Sequence, residues 1–173
     1  APAFDLPRKL LTEREGALVA NGMERWDNNW FQQVENSMDA VHVSFVHMAL
    51  TVGAFGKAVT TGIPELSYEE TASGIRQTAR RTKENVRQSD WTFPNNNHIT
   101  VPGLQPEDPW LDVFVWMTPN DDLNTTRFMI YSLPPGASEA SQMRFKTYFA
   151  KYGKYDPADP HDELFGSRVW KNP

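Results

Sequence analysis

The run Asn29-Trp30-Phe31-Gln32-Gln33-Val34-Glu35-Asn36-Ser37-Met38-Asp39-Ala40-Val41-His42-Val43-Ser44-Phe45-Val46-His47 carries the strongest helical period in the chain. Apolar side chains fall at Trp30, Val34, Met38, Val41, Phe45 and Met48, in steps of 4, 4, 3, 4 and 3. At roughly 100° per residue they form one stripe about 80° wide. That pattern predicts one long amphipathic helix over residues 30–48, with Asn28 or Asn29 as its N-cap.

The same run concentrates chemistry. It holds two of the four histidines, His42 and His47, with Asp39 three residues before the first. Imidazole nitrogen suits iron, zinc, copper and nickel, and two histidines with one carboxylate leave positions open at iron for dioxygen. On an ideal helix His42 and His47 lie roughly 140° apart and about 7.5 Å along the axis. A shared metal therefore requires the helix to bend or end near residues 43–46. The spacing argues against a zinc protease, which needs histidines at i and i+4 around a glutamate. From spacing alone, His42, His47 and Asp39 read equally well as ordinary polar positions on a helix.

Working outward, residues 51–64 are rich in Gly and Thr and read as loop. Strand-like runs follow at 70–82, 91–93, 97–101, 111–117 and 127–133, several of them stopped by Pro. The run 111–117 is apolar on both faces, which predicts a central strand. Residues 120–124 have the composition of a hairpin turn. A second helix is expected over 138–152, with Ser138 as N-cap, Glu139 in the first turn and Gly153 at the end. Its apolar face would be Phe145, Tyr148, Phe149 and Tyr152. Residues 1–23 read as an N-terminal arm or linker and 156–173 as a Pro-rich tail, leaving 24–155 as the domain. Helix, antiparallel strands, helix is the order of an α+β domain with a helix laid on a curved sheet.

The bulk properties bound the function. A chain of 173 residues, 39% hydrophobic and 12% aromatic, suits one globular domain. A net charge of −5 without a basic cluster argues against a nucleic-acid partner. No apolar run is long enough to span a bilayer, and residues 1–14 are polar and Pro-broken, unlike a secretory leader. The absence of cysteine excludes disulfides and thiolate metal sites in these residues and fits a cytoplasmic protein.

The wider word, Asn29-Trp30, then Glu35-Asn36, then Asp39-x-x-His42-x-x-x-x-His47, resembles the mononuclear-iron motif of Rieske oxygenase α subunits. The likeness is to the phthalate and phenoxybenzoate dioxygenase and O-demethylase branch. Trp91-Thr92-Phe93-Pro94-Asn95, Trp116-Met117-Thr118-Pro119-Asn120-Asp121-Asp122 and the strand after it resemble the same branch, so the likeness covers about residues 22–135. It implies a helix-grip fold of the START type, with the curved antiparallel sheet packed on the long helix. His42 and His47 match the iron-binding histidines, and Asp39 the aspartate that links the iron to the Rieske cluster of a neighbouring subunit. Asn36 and Glu35 match groups that orient the ligands. The implied cofactors are a mononuclear Fe(II) and a 2Fe-2S cluster on a Rieske domain that these residues do not include. The implied partners are dioxygen, a small aromatic substrate, a reductase or ferredoxin, and sister subunits in a trimer or a multiple of it.

Two features depart from that pattern. The cluster motif needs cysteines, and the chain has none. The third iron ligand should be a late carboxylate, yet Asp156, Asp159, Asp162 and Glu163 lie in Pro-broken sequence that does not match. The chain is therefore expected to be one piece of a longer polypeptide. Expected pocket walls are Val43, Val46, Phe114, Trp116 and Ile130; core packing is the competing role for them. An acidic substrate would want a buried arginine, for which Arg76, Arg80 and Arg127 are candidates, and His98 could reach a substrate. The rival functions are a metal-free helix-grip module that binds a small ligand, and a hydrolase using another metal such as zinc.

Overall fold

The computed structural model describes residues 14–46 and 62–150. Within them, seven strands form one antiparallel sheet in the order β1-β7-β6-β5-β4-β3-β2. The strands are β1 (Leu18–Trp26), β2 (Glu65–Thr71), β3 (Gly74–Arg80), β4 (Val86–Thr92), β5 (Asn96–Val101), β6 (Leu111–Pro119) and β7 (Thr125–Leu133). Strands β2 to β7 follow one another as a meander, and β1 returns to lie beside β7. The chain between β1 and β2 carries helices α1 (Trp30–Met38) and α2 (Ala40–Phe45); α3 (Glu139–Phe149) follows β7. This is the α+β helix-grip arrangement expected from the sequence.

Strand register fixes which residues share the helix-bearing face. Val115 lies between Asn97 of β5 and Met129 of β7, and Met129 is paired with Gly22 of β1. Alternation then puts Val113, Val115, Met117, Met129, Tyr131, Ile99 and Val101 on one face. Val34 of α1 packs into the cluster of Val113, Val115, Met117 and Met129, joined by Trp30, Trp91 and Tyr131. Farther along the same face, Phe145 of α3 packs on Leu111 and Leu133, with Leu18 and Ala20 of β1 beside them. The central position expected for 111–117 holds: β6 has partners on both sides and buries Leu111, Val113, Phe114, Val115 and Met117.

Several boundaries differ from the sequence reading, each for a tertiary reason. Residues 18–23, assigned to the N-terminal arm, belong to β1, whose order comes from pairing with β7 rather than from a period of its own. The run 70–82 is not one strand. It folds back at Ala72 and Ser73, so that Thr71 pairs with Gly74. Gly74 is required there, because a Cβ would sit 1.9 Å from the Trp91 carbonyl oxygen. The Asn120–Asn124 turn is as expected, closed by Asn120 N–H donating to Asn124 O at 3.0 Å. Helix α3 starts where predicted, with Ser138 Oγ accepting from Ser141 N–H at 3.2 Å. Phe145 is buried as expected, but Tyr148 is exposed, and Tyr152 and Gly153 lie outside the described residues.

The corner before β6 is tied to α3 by one buried carboxylate. Asp108 accepts from Ser141 Oγ at 2.6 Å, from Arg144 Nε at 3.0 Å and from the Gln105 backbone N–H at 3.0 Å. The Arg144 guanidinium holds the Asp108 carboxyl below the usual carboxylate range, against the opposing effect of burial, and Ser141 and Gln105 add to the lowering. A carboxyl depressed in the folded state contributes stability above its unfolded pKa, near 4, and that contribution is lost as pH falls through the folded value. Asp108→Asn should therefore melt several degrees lower than the parent at pH 7. Thermal melts as a function of pH should show the two proteins converging below about pH 4.

Candidate active site

The predicted single helix over 30–48 is two helices, and the break falls at Asp39 rather than after His42. Asn29 is the cap of α1, accepting from Phe31 N–H at 2.9 Å, and its amide also donates to Asp122 O in the β6–β7 turn. At the other end Asp39 takes extended backbone angles, φ −94° and ψ 91°. Its N–H donates to Glu35 O, ending α1, while its Oδ1 accepts from Val41 and His42 N–H at 2.9 and 3.2 Å, starting α2. Aspartate suits this because its short carboxylate satisfies the first-turn donors of a new helix.

The extended residue resets the helical phase. Trp30 and Val34 pack on the sheet as the stripe predicted. Beyond the break the buried positions are Ala40, Val43 and Ser44, and Phe45 is 58% exposed. The Met38 carbonyl freed at the break finds a partner on β3, and the first turn of α2 is held from the end of that strand. Gln77 Nε2 donates to Met38 O, and an Arg81 guanidinium nitrogen donates to Ala40 O at 3.2 Å.

A cavity of about 270 Å³ lies between these helices and the sheet. Asn36, Ser37, His42 and Val43 line it from the helices, and Arg87, Asn97, Ile99, Val115, Met117 and Arg127 from the strands. His42 Nδ1 bonds the Asp39 carbonyl oxygen. A carbonyl can only accept, so Nδ1 carries the proton and the lone pair is on Nε2, the tautomer of a metal-ligating histidine oriented through its other nitrogen. Its Nδ1 is also 3.9 Å from Asp39 Oδ2, and the Asp39 side chain is 52% exposed. Helix α2 runs to Phe45 with Val46 as its C-cap, and the residues after Val46, His47 among them, lie outside the described ones.

The structure gathers some of the predicted residues and not others. His42, Val43 and Asn36 share the cavity; Asp39 stands beside it at the helix junction. Glu35 and Val46 are exposed. The expectation that Phe114, Trp116 and Ile130 form pocket walls is corrected. They alternate with Val113, Val115 and Met129 and so point to the opposite face of the sheet. There Phe114 stacks on His98 at 4.4 Å, and His98 pairs with Asp112 at 3.0 Å, so His98 does not reach the cavity. Arg76 is on that face too, held by Asp90 at 2.6 and 2.9 Å. Arg80 has the same parity as Arg76, whereas Arg127 does line the cavity, paired with Glu24 at 3.4 Å. The second imidazole, His47, and the late acids Asp156, Asp159, Asp162 and Glu163 lie outside the described residues. Among the described residues, no group of three or more His, Asp or Glu could hold a metal ion, so His42 is the one proposed ligand that can be placed.

Sequence reasoning missed Arg87 and Asn97 as cavity residues. The β4 signal was recognised only at 91–93, so no parity was available for residue 87. The signal that could have found both is the period-2 alternation from Arg87 through Ser89 to Trp91, and from Asn97 to Ile99.

Comparison with known proteins places the fold. No protein-family model matches the chain, and no curated protein matches it. Solved structures do. NdmA of Pseudomonas putida CBB5, solved with caffeine, is 14% identical with a TM-score of 0.59 over 83% of this chain and 43% of that chain. The quaternary ammonium Rieske monooxygenase CntA, in complex with an inhibitor, is 14% identical with a TM-score of 0.55 over 79% of this chain and 35% of that one. The terminal oxygenase of carbazole 1,9a-dioxygenase from Nocardioides aromaticivorans IC177 is 14% identical with a TM-score of 0.53, covering 94% and 51%. The fold is that of a Rieske oxygenase catalytic domain. The chain spans between about a third and a half of the length of these structures. In this oxygenase fold the sheet face that carries α1 and α2 is also the face that carries the cavity. Among the described residues, no helix is long and apolar enough to cross a membrane.

The cap at Asp39 can be tested apart from any chemistry. Asp39→Ala should cost about 0.5–2 kcal/mol of stability in a denaturant titration, because α2 loses its N-cap. Asp39→Asn, an equally good cap, should stay close to the parent.

Proposed function

We propose that the chain is the iron-binding catalytic portion of a Rieske-type non-haem oxygenase that hydroxylates, dihydroxylates or O-demethylates an aromatic compound. The observation that carries the reading is His42. Its imidazole lines a largely apolar cavity, with its tautomer set by the Asp39 carbonyl, in a chain with this fold. His42 and His47 would hold a mononuclear Fe(II), with the remaining ligand outside the described residues. Bound Fe(II) would supply reductive activation of dioxygen.

The chain's own residues have separate tasks in this reading. Asp39 orients His42 through its carbonyl and keeps α2 in place through its carboxylate. Half-exposed, that carboxylate is also available to a neighbouring subunit, where it would act as a polar bridge from a Rieske cluster to His42. Val43, Ile99, Val101, Val115 and Met117 form apolar walls that shed water and hold a ring. Asn36 and Ser37 set polar contacts at the helix side. The reading also implies a reductase or ferredoxin donor and assembly into a trimer or a multiple of it.

Anaerobic reconstitution with Fe(II), followed by elemental analysis, tests the centre. The protein should retain about one mononuclear iron, and His42→Ala and His47→Ala should each bring that iron close to zero. Asp39→Asn should keep the iron and lose about 10–100-fold in reductase-driven turnover. Iron retained in both histidine variants would place the metal on other residues, and no iron in the unaltered protein would instead make the chain a metal-free ligand-binding module of the same fold.

A further inference from the structure

The sheet wall of the cavity contains a buried cation that no described carboxylate balances. Arg87 is 7% exposed and lines the cavity, and its Nε is buried without a hydrogen-bond partner. Among the described residues, no carboxylate pairs with it. Arg127 and Arg76 have carboxylate partners, whereas Arg81, which does not line the cavity, has only neutral acceptors. Arg127 is bound to Glu24 and lies over the Trp26 ring at 4.8 Å. Arg76 is bound to Asp90, and Arg81 donates to Ala40 O and Ser44 Oγ. On the neighbouring strand, Asn97 lines the same cavity at 1% exposure, with neither its amide nitrogen nor its oxygen bonded. Register places Asn97 opposite Trp91, so Arg87 and Asn97 stand on one sheet face, four residues and roughly 13 Å apart along the strand direction.

Isolated buried charges and amides are costly, and proteins retain them where a ligand completes them. We propose that this cavity takes a carboxylate-bearing substrate, with Arg87 as its anion-binding residue and Asn97 hydrogen-bonding a second polar substituent farther along the same wall. The inference deepens the oxygenase reading and rests on it for the aromatic part of the substrate. A planar guanidinium matches a carboxylate with two parallel hydrogen bonds. One buried positive charge balances one carboxylate, whereas a phosphate dianion would leave excess charge in an apolar site. The volume of about 270 Å³ suits a single substituted ring, at the small end of ligand pockets.

The unbalanced charge has a second consequence. Burial lowers the Arg87 pKa from its ordinary value to about 10, with repulsion from Arg81 adding to it. A cation depressed in the folded state leaves the unfolded chain binding more protons between those values. The resulting cost to stability is thus fully present at neutral pH. Arg87→Met should therefore melt at or above the temperature of the parent, so that a binding loss in it is not a folding loss.

Calorimetric titration of the full chain with benzoate and with benzamide, with and without Fe(II), tests the proposal. The unaltered chain should prefer benzoate by about tenfold or more, with or without iron, and Arg87→Met should lose that preference. Equal affinity for the two probes, no benzoate binding, or a preference retained in Arg87→Met overturns it. The comparison on the unaltered chain stands whether or not the variant folds. Benzoate selectivity together with failure to retain Fe(II) would sink the oxygenase reading and leave the carboxylate site standing.

Discussion

Asp39 accepts hydrogen bonds from Val41 and His42 N–H while its own N–H donates to Glu35 O, and these bonds turn one helical run into two helices. The candidate site depends on that junction. It holds His42 by its Nδ1, turns Ala40, Val43 and Ser44 toward the sheet, and frees the Met38 carbonyl, which Gln77 then satisfies. A continuous helix would have carried Phe45 inward and pointed His42 elsewhere. The residue assigned to electron transfer by resemblance therefore has a structural task of its own, and substitutions there need to be separated into capping and chemical effects.

The sheet supplies the other half of the site through a division of labour between its faces. The helix-bearing face is apolar in the middle, where Val34 meets Val113, Val115 and Met129. The same face is polar along β4 and β5, where Arg87, Ser89 and Asn97 are buried. The opposite face carries compensated pairs: Arg76 with Asp90, and His98 with Asp112. Those two pairs are matched within the fold, while on the cavity face no described carboxylate matches Arg87. Such an asymmetry is expected where a ligand, rather than the protein, completes the electrostatics.

Local signals were legible in the sequence because they act over a few residues. Asn29 and Ser138 cap the helices they precede, the 120–124 turn closes as composition indicated, and 111–117 is an interior strand. The helix-grip fold was legible through the resemblance around residues 29–47, since the pattern of Trp30, Asp39 and His42 is tied to a position on that fold. The third ligand and His47 stay with the sequence alone.

What the sequence determined by itself was the caps at Asn29 and Ser138, the 120–124 turn, the interior place of 111–117 and, through the resemblance, the class of fold, because capping, turn formation and periodicity are short-range effects. Tertiary structure alone decided which face each strand residue serves. β6 buries residues of both parities, so its alternation does not distinguish Val115 from Phe114 until pairing with Asn97 and Met129 sets the register. The same pairing carries Leu18 to Met23 into the sheet as an edge strand and directs Arg87 into the cavity. A buried charge without a partner is visible only when all of its neighbours are in place, because burial is a property of the packed chain and not of any segment of it.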